Sequence, residues 1–183
     1  MRIIGGKFRG VALASVGKGD TGAHLRPTTD RTRESLFNLL EHGPYPSFEN
    51  AHVLDLFAGT GALGFEALSR GAATITFVDD GQKSQSLLRE NAAKLRVKPN
   101  IFRQNAIRLP LNPSAPYTLV FLDPPYGKAL GEKALASCQA GNWLAPEATI
   151  VWEEAAEQVA PTGFTKADAR RYGDTWITIL RFQ

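Results

Sequence analysis

The chain has 183 residues, 43% of them hydrophobic and 21% charged, which is enough for one domain to bury a core without metal or disulfide staples. No apolar run approaches the roughly 18 residues of a membrane span, and the start Met1-Arg2-Ile3-Ile4-Gly5-Gly6-Lys7 has neither an apolar h-region nor a small-residue cleavage site. A monomer with a cytoplasmic address and no membrane partner is the expectation. Cys138 is the single cysteine, and His24, His42 and His52 fall in no metal-ligand spacing, so an internal disulfide is excluded and no metal site is expected.

The net charge of +3 is unevenly placed. Residues 1–33 hold Arg2, Lys7, Arg9, Lys18, Arg26, Arg31 and Arg33 against Asp20 and Asp30, a local charge of +5, while the remainder carries −2. A cationic segment can hold a polyanion by displacing its counterions. A solvated basic arm with no partner is the plainer reading of the same charge.

In chain order, residues 1–25 carry six glycines and little periodicity, which predicts a hairpin or flexible arm. Leu36, Phe37, Leu39 and Leu40 behind a charged first turn predict a helix over 30–41, stopped at Gly43-Pro44. Val53-Leu54-Asp55-Leu56-Phe57 reads as a buried strand, followed by the turn Ala58-Gly59-Thr60-Gly61 and a helix ending near Gly71. Alternation then continues: strand 74–78, helix 82–95, strand 100–103, strand 118–122, helix 129–140 and strand 149–153. Two last strands, 164–171 and 176–182, flank the turn Tyr172-Gly173-Asp174-Thr175, so the sheet should finish antiparallel. The sum is an α/β fold with a seven-stranded, mostly parallel sheet containing one antiparallel strand. The chain divides into a basic amino-terminal arm or hairpin, 1–28, and an α/β domain, 29–183.

The turn Asp55 to Gly61 lies at the carboxyl end of a first strand, where open α/β sheets bind ligands, and its glycines let a ligand approach the backbone. It is not a dinucleotide fingerprint, because Gly59, Gly61 and Gly64 reach that spacing only through a helix glycine and Asp55 would repel a pyrophosphate. A cofactor with a cationic end suits Asp55. Asp79 and Asp80 follow the second strand, where a carboxylate can accept from both ribose hydroxyls; Asp79 is preferred, and Asp80 is free to cap the next helix. A dehydrogenase would use the same carboxylate, so the fourth strand has to decide.

That strand, Tyr117 to Leu122, runs into Asp123-Pro124-Pro125-Tyr126-Gly127. An exocyclic amino group on a base is a poor nucleophile, because its lone pair is conjugated into the ring. Acceptors for its hydrogens, here Asp123 and the Pro124 carbonyl, shift density back to nitrogen. The two prolines hold that carbonyl in place, and Tyr126 can stack on a flipped base. A rigid strand-ending turn with a packed tyrosine is the plainer reading.

These motifs resemble those of the amino-methyltransferases, with a glycine-rich first motif at Asp55 to Gly61 and a catalytic D/N/S-P-P-Y/F motif at Asp123 to Tyr126. Arg26-Pro27-Thr28-Thr29-Asp30-Arg31-Thr32-Arg33-Glu34-Ser35-Leu36-Phe37-Asn38, with Ile3-Ile4-Gly5-Gly6, Phe8-Arg9-Gly10, Gly61 to Gly71 and Asn142-Trp143-Leu144, is similar nearly end to end to the RsmD family of 16S rRNA guanine methyltransferases. The resemblance implies a Rossmann-like class I fold, S-adenosyl-L-methionine as cofactor, and methylation of the 2-amino group of one guanine in 16S rRNA, within the small subunit or an assembly intermediate. It implies that Arg26, Thr28 and Asp30 close over the methionine end, that Asp55, Phe57, Ala58, Gly59 and Gly61 hold the cofactor, and that Asp79 or Asp80 takes the ribose. Asn105 and Ala106 would face the adenine, with Asp123 also at the cofactor; Asn105 departs from the family's usual acidic residue. Catalysis would fall to Asp123, Pro124, Pro125 and Tyr126, and phosphate contacts to Arg2, Lys7, Arg9, Arg31 and Arg33, although Arg33 could equally pair with a helix neighbour. A DNA adenine methyltransferase shares the fourth motif but usually adds a target-recognition domain; a non-catalytic RNA-binding assembly protein and a small-molecule methyltransferase are further alternatives.

Overall fold

A computed structural model describes residues 1–15 and 30–183. Five strands lie parallel: β1 (His52–Leu56), β2 (Thr74–Val78), β3 (Asn100–Phe102), β4 (Tyr117–Leu122) and β5 (Leu144–Glu154). With β6 (Phe164–Tyr172) and β7 (Thr175–Phe182) they form one seven-stranded sheet in the order β3-β2-β1-β4-β5-β7-β6. β7 runs antiparallel to both of its neighbours, which makes it the one reversed strand of the expected sheet. The order reverses at β1, so β1 and β4 open a crevice at their carboxyl ends, where open α/β sheets receive ligands.

Three helices, α1 (Asp30–His42), α2 (Ala62–Ser69) and α3 (Gln82–Leu95), cover one face, and α4 (Leu130–Ala140) covers the other. In α1, Arg33, Leu36, Phe37 and Leu40 are buried at the spacing of a single helical face. Phe37 packs with its ring centroid 5.5 Å from Phe48 and 5.6 Å from Phe121, fixing α1 over β4. On the opposite face, Trp143 is stacked on Tyr117 at 5.8 Å.

β5 begins earlier than the expected 149–153. Its pairing with β4 jumps from Tyr117↔Leu144 to Leu119↔Thr149, so the residues around exposed Pro146 and Glu147 bulge outward. Proline cannot donate to the ladder, which is why this stretch does not read as a strand. The hairpin between β6 and β7 is tighter than expected, with Tyr172 opposite Thr175 across Gly173-Asp174. Gly173 sits at φ +63°, which suits glycine.

The described part of the amino-terminal arm folds back on itself through an antiparallel bridge between Arg2 and Ala12, with one 3-10 turn at Gly6–Phe8. Ile3 and Leu13 are buried in the α1–α3 core. A buried carboxylate clamps the segment: Ile4 N–H and Gly5 N–H each donate to Glu66 at 2.8 Å, and Arg70 Nε donates to it at 3.0 Å. Ser69 accepts from Phe8 N–H and donates to the Gly5 carbonyl. Removing one partner of a buried charged network leaves the others desolvated and unpaired. Glu66→Ala should therefore cost about 3–5 kcal/mol in urea denaturation and should speed limited proteolysis within residues 1–15. A variant with unchanged stability would show that the clamp contributes nothing.

No described helix is long and apolar enough to cross a membrane. Among the described residues, no group of three His, Cys, Asp or Glu side chains could hold a metal ion.

Candidate active site

The turn after β1 is conformationally strained. Phe57 (φ +57°), Gly59 (φ +54°) and Gly61 (φ +78°) are all left-handed, and for the non-glycine Phe57 that geometry costs on the order of 1–3 kcal/mol, a cost found chiefly at functional sites. Gly61 has no room for a side chain either, since a Cβ there would lie 2.7 Å from both Leu88 and Phe65. Gly64 is more than a coincidence of spacing: a Cβ would meet Phe77 at 2.5 Å, and its N–H donates to Asp55 Oδ2 at 2.9 Å. Asp55 thus ties the start of α2 to β1.

A cavity of about 660 Å³ opens beside this turn, between the carboxyl ends of the strands. Phe57, Asp79, Asp80, Asn105, Ala106 and the whole run Asp123 to Tyr126 line it, so residues from the ends of β1, β2 and β4 and from the loop after β3 converge on one cavity. Lys83, Gln104 and Lys128 also line it; they carry no motif and were not anticipated. Asp79 is the better held of the two acids after β2. Its Oδ2 accepts from Gly59 N–H at 2.9 Å and its Oδ1 from Gly81 N–H at 2.8 Å, while Gln85 Nε2 donates to its carbonyl at 2.9 Å. The second strand's acid is thereby locked against the first strand's glycine turn.

At the end of β4 the structure adds what the sequence reading missed. The Tyr126 hydroxyl donates to Glu153 Oε1 at 2.9 Å and lies 3.4 Å from Thr175 Oγ1. Gly127 N–H donates to Glu154 Oε1 at 3.0 Å. Both glutamates are buried at the end of β5. An apolar strand delivering acids to the same sheet edge, Ile150-Val151-Trp152-Glu153-Glu154, is the signal that picks out Asp123 on β4, and it could have found them. Burial first, then the carboxylates of Glu153, Asp55 and Glu154, raise the Asp123 carboxyl well above the ordinary carboxylate range. Burial, only partly offset by the Gly64 N–H and reinforced by the charge of Asp79, raises Asp55 to about 8. Burial and then the Glu153 charge push the Tyr126 phenol upward. The buried carboxyls of Asp55 and Asp123 gain from a cationic guest.

Several expected positions need correction. Asp55 is only 2% exposed and is not on the cavity wall; its bond to Gly64 holds the turn. Ala58, Gly59 and Gly61 are likewise buried in the adjoining turn rather than on the wall. Asp80 does not cap α3, whose N-cap is Gly81 with no side-chain bond; Asp79 reaches Gly81 N–H in its stead. Asn105 lines the cavity, but its Oδ1 accepts from Ile107 N–H at 3.1 Å, capping the 3-10 turn Ala106–Arg108. Arg33 is no phosphate contact. It is fully buried and donates to Asp30 Oδ1 at 2.6 Å and to the Arg2 carbonyl at 2.8 Å. Asp30, engaged by Arg33 and lying 3.6 Å from Arg2 Nε, is not on the cavity wall. Arg2, Lys7, Arg9 and Arg31 are exposed. Arg26 and Thr28 lie outside the described residues.

The architecture is shared with solved proteins. A structure of yhhF from Escherichia coli, described as a candidate methyltransferase, superposes with a TM-score of 0.82 at 34% identity, covering 100% of this chain and 98% of that one. Fold and site together define a methyltransferase of the Rossmann-like class I kind. In sequence, a protein named ribosomal RNA small subunit methyltransferase D, from Escherichia coli strain K12, is 40% identical over 163 residues, 88% of this chain and 78% of the relative. Its Haemophilus influenzae namesake is 36% identical over 158 residues, 84% and 78% of the two chains. The profile of the family described as conserved hypothetical protein 95 matches residues 1–181, and the chain belongs to that family, the one these small-subunit methyltransferases D represent.

Proposed function

We propose that the protein transfers a methyl group from S-adenosyl-L-methionine to the exocyclic 2-amino group of one guanine in 16S rRNA, presented in the small ribosomal subunit or an assembly intermediate. The observation that carries this reading is the run Asp123 to Tyr126 on the wall of a cavity that also takes in Phe57 and Asp79. The names of the relatives at 40% and 36% identity supply the RNA.

The cavity suits this cofactor on two counts. Asp79 and Asp80 offer carboxylates to ribose hydroxyls at its edge, and the raised Asp55 and Asp123 carboxyls favour a positive neighbour. Asn105 and Ala106 offer a wall to the adenine, and Arg26 and Thr28 are assigned to the methionine end. When bound, the cofactor supplies a methyl group already activated by positive sulfur. Tyr126 stacks on the extruded base, and Asp123 and the Pro124 carbonyl accept from its amino group, returning electron density to nitrogen. As the nitrogen–methyl bond forms the sulfur–methyl bond breaks, and the proton lost by nitrogen passes to Asp123 in the ionised form that a positive neighbour favours. No covalent enzyme intermediate is needed, because alignment of two bound reactants is worth roughly 7–11 kcal/mol. Residues 1–28 act as the RNA-contacting arm of the 29–183 catalytic domain, with the exposed Arg2, Lys7, Arg9 and Arg31 on phosphates.

The test is transfer of labelled methyl from S-adenosylmethionine to small ribosomal subunits, their naked RNA and adenine-rich duplex DNA, followed by nucleoside analysis. N2-methylguanosine in the RNA is the expected product. Label in DNA adenine would replace this reading with a DNA adenine methyltransferase, and cofactor binding with no transfer to any of the three would refute the substrate assignment. No cofactor binding at all would favour a non-catalytic assembly protein.

A further inference from the structure

The segment that ends β4 is held from the neighbouring strand at two successive points. Tyr126 is tied by its hydroxyl to Glu153, and Gly127 by its backbone N–H to Glu154. The register Leu122↔Trp152 brings Glu153 alongside Asp123. Glu153 is 3% exposed and forms no part of the cavity wall, whereas Tyr126 does. The reverse strand contributes as well: Glu153 faces Ile177 on β7, and Thr175 of the same strand comes within 3.4 Å of the Tyr126 hydroxyl. The ring therefore has its backbone end fixed by two prolines and its hydroxyl end fixed by a buried acid.

We propose that Glu153 is a positioning residue for the acceptor base, acting through the Tyr126 hydroxyl to hold the aromatic ring at the angle from which it stacks on the nucleobase.

This assignment rests on the nucleobase methyltransferase reading of the site. A tyrosine attached only at its Cα is free to turn about its side-chain bonds, and a stacking platform that turns carries the amino group out of line with the methyl group. Misplacement of about 1 Å is enough to cost on the order of 10²-fold in rate. A carboxylate is the strongest available acceptor for a phenol, and burying one beside Asp123 is unfavourable on stability grounds alone, since like carboxylates in an apolar setting oppose each other's ionisation. A residue kept only for packing would serve better as leucine or methionine. The acid in that place is explained if the orientation of Tyr126 is what it secures.

The experiment is a double-mutant cycle on single-turnover methyl transfer to small ribosomal subunits or their RNA, whichever the wild type modifies. Calorimetric titration with S-adenosylmethionine runs alongside. Tyr126→Phe keeps the ring and loses the hydroxyl; Glu153→Leu keeps the volume and loses the acceptor. Each should slow transfer about 10²-fold with cofactor affinity changed less than about threefold. Glu153→Gln, whose amide oxygen still accepts, should recover most of the rate. The double variant Tyr126→Phe/Glu153→Leu should be no slower than the slower single one, because both remove the same bond. Multiplying effects, or a Glu153→Leu enzyme with wild-type turnover, would overturn the proposal. Tyr126→Phe decides the matter even if Glu153→Leu does not fold, since an unimpaired Tyr126→Phe enzyme leaves Glu153 nothing to act through. A wild type that methylates no nucleic acid would instead sink the functional reading itself, before any variant is compared.

Discussion

Asp123→Ala should lower the single-turnover rate of methyl transfer by about 10²–10⁴-fold, the range for a positioned acid–base group, while S-adenosylmethionine binds within a few-fold of the wild type. The argument is differential. Asp123 lines the cavity just past the end of β4; in the proposed reaction it accepts from the target amino group, and its contribution grows only as nitrogen becomes positive and must shed a proton. In the same proposal cofactor binding rests instead on the ribose carboxylate Asp79, whose own bonds to Gly59 and Gly81 hold it against the glycine turn. Asp123→Asn should fall between the two enzymes: the amide oxygen still accepts from the amino group, but it cannot take the proton. Quenched-flow transfer on the RNA substrate and calorimetry on the cofactor separate these effects. A tenfold loss of cofactor affinity with an intact chemical step would reassign Asp123 from the acceptor side to the donor side.

The fold was readable because its elements are locally consistent. α1 carries a single buried stripe, β4 is an apolar run from Leu119 to Leu122 and β1 is one interrupted at Asp55, as suits parallel strands covered on both faces, and each ends at a glycine or proline signal. Pro146 and Glu147 look like a loop before β5, and only their outward bulge opposite Thr118 reconciles them with pairing. Nothing local announces that.

The site was legible where one segment brings its own chemistry, as at Asp55 to Gly61 and Asp123 to Tyr126. It was not legible where the meaning of a residue depends on a partner distant in sequence. Glu153 becomes informative once Tyr126 lies 2.9 Å away, and Arg33 stops being a surface cation once α1 turns it onto Asp30 and the Arg2 carbonyl. Glu66 is separated by 62 and 61 positions from the two backbone donors it satisfies. Charge read along the chain cannot tell a buried cation from an exposed one, so in sequence Arg33 reads like Arg2 and Arg31.

Asp55 carries the second large expected effect, and it has opposite signs for stability and for binding. Its carboxyl is raised to about 8 in the folded protein, mainly by burial, against about 3.9 in an unfolded chain. The native state therefore keeps a proton that the unfolded state has released, so the contribution of Asp55 to stability falls as pH rises from about 4 to about 8 and is level beyond. Asp55→Asn has no such proton to lose, and its side-chain oxygen can still accept from Gly64 N–H. The variant should gain on the wild type through that window, by an amount on the order of a few kcal/mol at pH 8, read as the difference between urea midpoints at pH 5, 6, 7 and 8. A cationic cofactor reverses the preference, because positive charge near Asp55 stabilises the ionised form. The wild type should release protons on binding S-adenosylmethionine, seen in calorimetry as a heat that depends on the buffer's ionisation enthalpy. Its affinity advantage over Asp55→Asn should widen as the pH rises through about 8. A parallel pH dependence of stability in the two proteins would place the ionisation elsewhere. A parallel pH dependence of binding would mean that Asp55 holds the turn mechanically and exerts no field on the cofactor.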